Sequence, residues 1–219
     1  MNNRQRIVNL GLPKSGTTTL AHALRRAGLR IADYRIRRRQ TPDTNLHGAY
    51  VGERLYHGYF TTGDPLHGLD LFDGFSEIST LSEGHSLWPQ MDWGVIDAIR
   101  LHHPNTHFIA TWRMPEALSN SILNWSDLGT KRLPHGQIPG LPKGYGANPA
   151  QRVQWICAHY AHLERLFRDD PRFLLLDVGA ADACARLSAF LGRDLPWWGK
   201  ANRNPQPAPT DHPEPQEVC

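Results

Sequence analysis

Strand-length apolar runs that alternate with helix-spaced ones predict an α/β domain with a mainly parallel central sheet and helices on both faces. Three stretches carry that expectation. Arg6 to Leu10 reads as a short buried strand that runs into the turn Gly11 to Gly16, and Thr17 to Ala27 then places Leu20, Ala23, Leu24 and Ala27 on one helical face, with Gly28 at its stop. Thr106 to Trp112 is a second clear strand, followed by a helix from Pro115 to Trp125 with proline in its first turn. Arg172 to Val178 is the last strand, and Ala181 to Leu191 is the helix behind it.

The segments between these follow in order. Leu29 to Ile36 reads as the second strand, His47 to Tyr59 as a helix, Leu71 to Ser79 as the third strand and Trp93 to His102 as another helix. Residues 127–149 are rich in glycine and proline, too long for a plain connection, and Ala150 to Phe167 is a strong helix. Five prolines after Ala201 make residues 205–219 an extended tail beyond a single domain of residues 1–204.

Composition narrows the function. With 219 residues and 40% hydrophobic content the chain can form a sizeable core, which excludes disorder for its bulk. No apolar run approaches the roughly 18–20 residues of a membrane span, so no membrane insertion is expected. Lys14 breaks the apolar stretch after Arg4 and Arg6, unlike a secretion signal, and three cysteines make no disulfide framework; the expected location is the cytoplasm. A net charge of +3 is too mild to argue for nucleic acid. Arg35, Arg37, Arg38 and Arg39, with Arg25, Arg26 and Arg30 before them, are a local exception: either a solvated helix end and loop or a wall for an anionic ligand.

The chemistry concentrates in Gly11-Leu12-Pro13-Lys14-Ser15-Gly16-Thr17-Thr18. Gly11, Gly16 and Thr18 have the spacing of a nucleoside-triphosphate loop, but Thr17 stands where its lysine belongs, and Lys14 lies two residues before Gly16. Such a backbone still curls its N–H groups around an anion at a helix start. The displaced lysine suits charge developing on a bridging or leaving oxygen.

Pro13-Lys14-Ser15-Gly16-Thr17-Thr18 resembles the phosphosulfate-binding loop of the sulfotransferases that use 3′-phosphoadenosine 5′-phosphosulfate (PAPS). The resemblance implies a P-loop three-layer sandwich of the bacterial type and transfer of a sulfuryl group to a hydroxyl or amine of a small-molecule or saccharide acceptor. The product would be adenosine 3′,5′-bisphosphate (3′,5′-ADP), with no metal required. It also implies cofactor contacts from Pro13, Lys14, Ser15, Gly16, Thr17 and Thr18. A second element resembles the family's 3′-phosphate site: Arg113 leaves a strand and Ser121 follows on the helix. A guanidinium makes paired hydrogen bonds to phosphate and a hydroxyl adds a donor. Phe173 to Asp177 and the helix ending Phe190-Leu191-Gly192 resemble later family elements, and Lys200 and Arg203 fall where a final cofactor-touching loop belongs.

Besides Lys14, catalysis needs a base for the acceptor proton. Glu77 comes first, at the C-terminal end of the third strand; His85 is second; Asp33 is third, by analogy with bacterial members that carry a carboxylate there. The acceptor and the oligomeric state stay open. Two alternatives remain: a small-molecule or nucleotide kinase, because Asp177 after four apolar residues fits a metal-binding strand, and a non-catalytic nucleotide-binding protein. Cys157, His159 and His162 on one helix are read as ordinary helix residues, with no metal site. Gly129 to Ala147 is expected to be a mobile flap without regular structure, closing through Lys131, Arg132 and Lys143.

Overall fold

The computed structural model describes residues 4–82 and 84–201. In chain order the elements are β1 (Arg6–Asn9), α1 (Thr17–Arg26), β2 (Ile31–Ala32), α2 (Val51–Thr62), β3 (Gly74–Phe75), β4 (Thr80–Ser82) and β5 (His85–Leu87). Then come α3 (Trp93–His102), β6 (Thr106–Trp112), α4 (Pro115–Leu123), α5 (Leu133–His135), α6 (Pro149–Leu166), β7 (Phe173–Asp177) and α7 (Ala183–Leu191). Five strands form one parallel sheet in the order β2-β3-β1-β6-β7, with Val8 opposite both Phe75 and Phe108, and Trp112 opposite Asp177. The expected α/β class with a parallel central sheet is therefore present.

Side chains that alternate along β1 and β6 feed two apolar clusters. Ile7 and Ile109 pack with Leu20 and Leu24 of α1 and Leu187 and Leu191 of α7. Val8, Phe108 and Ala110 pack with Leu55 of α2, Ile96 of α3, Leu118 of α4 and Ile156 of α6. Both faces of β1 are covered, which is why all four of its residues are buried. Local caps set the helix starts: Asp92 accepts from Gly94 and Val95 N–H at 3.0 and 3.3 Å, and Asn148 accepts from Ala150 N–H at 2.8 Å ahead of Pro149. No helix among the described residues is long and apolar enough to cross a membrane.

Four expectations change. The second strand shrinks from 29–36 to Ile31–Ala32, because Tyr34 turns to φ 52° and the chain bends toward Tyr50. The third shrinks to Gly74–Phe75, and the chain beyond it folds back as the antiparallel β4–β5 hairpin. The helix expected from His47 begins at Val51, because Gly48 sits at φ 79° after a 3₁₀ turn. Residues 127–149 are not free of regular structure. Leu128–Arg132 makes a π-helical turn that continues into α5, and Leu128, Leu133, Ile138 and Leu141 are buried in the core. Trp155 Nε1 donates to the Pro139 carbonyl at 2.9 Å, and Arg152 donates to the Gly146 and Ala147 carbonyls. The segment is packed against the core and carries regular structure, contrary to the irregular stretch expected. Residues 205–219 and Arg203 lie outside the described residues.

Candidate functional site

Winding reverses at β1, with β3 on one side and β6 on the other, so the C-terminal strand ends part there and open a crevice. A cavity of about 1680 Å³ fills it. Its floor is the loop between β1 and α1. Lys14 at φ 71° and Gly16 at φ 116° turn successive N–H groups toward one point, and no side chain caps α1. The first-turn amides of a ten-residue helix thus face the cavity without protein acceptors from a cap. A Cβ at Gly16 would stand 2.7 Å from Val178, and one at Gly11 would run into Thr111.

The loop is held from below. Asn9, a polar residue inside a buried strand, donates to the Ser76 carbonyl at 2.7 Å and to Thr111 Oγ1 at 3.1 Å, and accepts from Gly11 and Thr111 N–H. Tyr160 of α6 donates to the Thr111 carbonyl at 2.8 Å and accepts from Leu12 N–H at 3.3 Å. His159 bonds the Leu10 carbonyl at 2.8 Å, and burial pushes its pKa down to about 4, which keeps it neutral.

Pro13, Lys14, Gly16, Thr17, Thr18, Arg113, Ser121, Glu77, Asp33 and Lys200 all line this cavity. Lys14 Nζ lies 3.2 Å from the centre of the Trp125 ring, and Arg113 Nη1 donates to the Lys14 carbonyl at 3.3 Å. Burial, helped by the Arg113 charge and opposed by Glu77, lowers the Lys14 pKa to about 8. Glu77 is buried, and accepts from Ser79 Oγ at 2.5 Å. Burial pushes its pKa up to about 7, with the Asp33 carboxylate adding to it against the Ser79 and Thr17 hydrogen bonds. Burial also raises Asp33, whose carboxylate stands 3.7 Å from Arg25. Lys200 reaches the rim because Thr19 Oγ1 donates to the Gly199 carbonyl at 3.0 Å, docking that segment on α1.

Two expected residues do not belong. Ser15 is fully buried; its N–H bonds the Leu12 carbonyl and its hydroxyl bonds Thr111 Oγ1 at 2.7 Å, so it shapes the loop instead of facing a ligand. His85 is exposed on β5 with its ring 5.8 Å from that of Tyr50, outside the cavity lining, because the β4–β5 hairpin carries it away from the sheet's edge. Conversely, Asn9, Thr111 and Tyr160 hold the loop without being read as site residues, while Arg37, from the run read as a possible anion wall, and Arg132, read as part of the flap, line the cavity. Among the described residues no group of three or more His, Cys, Asp or Glu side chains is placed to hold a metal ion.

No family model matches the chain, and no curated protein matches it.

Chemically, the arrangement offers backbone donors and a desolvated lysine for one anionic group, and an arginine with a serine for a second. A carboxyl that ionises near neutral pH stands beside them.

Proposed function

We propose that the protein is a PAPS-dependent sulfotransferase built on a P-loop three-layer sandwich. One observation carries this reading: the Lys14 loop and the Arg113–Ser121 pair, two separate sets of donors suited to anions, line one cavity together with Glu77. The donor's 5′-phosphosulfate matches the first group and its 3′-phosphate the second. In the transfer, the acceptor oxygen bonds to sulfur while the bond between sulfur and the bridging oxygen breaks, and that electron pair stays on the 5′-phosphate. Lys14 and the α1 amides neutralise the departing oxygen, and Glu77 takes the acceptor proton. Asp177 at the end of β7 also lines the cavity, the feature that favours a kinase, but Thr17 stands where a triphosphate loop needs its lysine.

Thermal unfolding with added nucleotide tests the reading. Adenosine 3′,5′-bisphosphate without magnesium should stabilise the fold by about 2.7 kcal/mol at a concentration near 100 times its Kd. Equal or greater stabilisation by Mg-ATP would overturn the proposal in favour of a kinase. Assay of sulfuryl release from PAPS separates an enzyme from a protein that only binds the nucleotide.

A further inference from the structure

Beside the main cavity lies a second, smaller one of about 310 Å³, lined by Arg25, Arg30, Arg37 and Arg39 together with Leu29, Ile31 and Gln40. Arg37 lines both cavities, so the two share a wall. Four guanidiniums are too many for the carboxylates at hand. Asp33 is the acid that pairs with the group among the described residues, at 3.7 Å from Arg25. The Arg25 side chain is half-buried and anchored on the Ile31 carbonyl at 3.0 Å, and Arg37 and Arg39 stand close enough to repel its charge. Arg30 and Arg39 are exposed residues of the pocket lining, and Arg30 Nη1 also donates to the Leu71 carbonyl at 3.5 Å. Such an uncompensated cluster in a concave site is a preformed seat for sulfate, phosphate or carboxylate oxygens.

We infer that the acceptor is itself anionic: a charged group of the acceptor sits among Arg25, Arg30, Arg37 and Arg39, while its hydroxyl reaches across Arg37 to Glu77 and Lys14. This inference rests on the sulfotransferase reading for the direction of the reaction, but the pocket's preference is measurable without turnover. The seat is too small for a whole chain and suits one anionic substituent at a time, so an already sulfated or carboxylated sugar fits it.

The test is calorimetric titration of the full chain and of the double variant Arg30→Ala/Arg39→Ala at near-physiological ionic strength. Both residues are exposed, so the variant keeps its fold, which unchanged affinity for adenosine 3′,5′-bisphosphate verifies. The probes are a sulfated tetrasaccharide, its unsulfated parent and a single-stranded oligonucleotide of the same charge. The sulfated probe should bind the natural protein, and the double variant should bind it about tenfold more weakly or worse. The unsulfated parent should bind about tenfold more weakly than the sulfated probe. Equal binding of the two sugars, an unaffected double variant, or tighter binding of the oligonucleotide would overturn the inference. Failure of the bisphosphate to bind the natural protein would instead strike the sulfotransferase reading, and the sugar titrations would still report on the arginine pocket.

Discussion

Replacing Glu77 by glutamine should stabilise the protein at alkaline pH while disabling it. The side chain is buried, and its carboxyl has its pKa raised from 4.5 to about 7. Below the unfolded value the group is protonated in both states, and its ionisation costs nothing. As pH rises from 4.5 toward 7 the unfolded chain releases the proton while the native state keeps it, so stability falls throughout that window. Above 7 the loss is complete, and at about 1.4 kcal/mol per pH unit it amounts to about 3 kcal/mol. Glutamine has the same shape, keeps an oxygen for the Ser79 hydroxyl, and has no proton to lose. Urea unfolding of both proteins at about pH 4 and about pH 8 isolates this group together with its coupling to Asp33, because carboxyls that do not interact with it cancel in the difference. The variant should match the natural protein at the lower pH and exceed it by about 3 kcal/mol at the higher, equivalent to a rise in Tm of about 6–12 °C. The same variant should lose about 100-fold or more in sulfuryl transfer. A stability difference that is the same at both pH values, or a variant less stable at the higher one, would refute the reasoning.

Lys14→Ala should lower kcat for sulfuryl transfer by about 100-fold or more, since its charge meets one that develops only in the transition state. Arg113→Ala should raise KM for the donor with kcat nearly kept, and normal turnover in the lysine variant would remove Lys14 from the mechanism. The pH profile of kcat/KM should be bell-shaped, with an acid limb near the Glu77 value of about 7 and an alkaline limb near the Lys14 value of about 8. In the profile of kcat the alkaline limb should move upward, because the bound anions hold Lys14 charged; an unmoved limb assigns it to another group. Gly16→Ala should cost more than about 2 kcal/mol of stability, measured by chemical denaturation, because φ 116° and the contact with Val178 both exclude a Cβ.

What could be read from the residue order was what local chemistry decides. Trp93–His102 and Thr106–Trp112 were legible because Asp92 caps the one and Phe108, Ile109 and Ala110 form the apolar centre of the other. Lys14, Arg113 and Ser121 were legible through their spacing around strand ends. The short strands β2 and β3 were not: only two residues of each pair, and what seats them is long-range, including the hydrogen bond from Ser76 N–H to the Ala32 carbonyl. His85 shows the same limit, since nearness in sequence to Glu77 says nothing about a hairpin that reverses the chain between them. Arg152 and Trp155 decide the state of residues 127–149 from the following helix, outside the segment whose glycines and prolines suggested freedom. Asn9 and Thr111 did leave a trace, as polar residues inside otherwise apolar strands, and buried polar groups demand partners.

The fastening of the loop by Asn9, Thr111 and Tyr160 has a consequence for how the protein fails. These bonds tie the loop to the centre of the sheet through Thr111 and to α6 through Tyr160: the Gly11 amide opens when the Asn9 side chain lets go, and the Leu12 amide when α6 parts from the loop. Their hydrogen exchange is therefore expected to be slower than that of exposed loop amides and to follow the packing of α6 on the sheet. On heating, the loop is expected to keep its shape while the sheet and α6 stay packed. If the protein binds nucleotide as proposed, loss of that binding on heating should track the unfolding of this packed unit, which circular dichroism recorded in parallel checks.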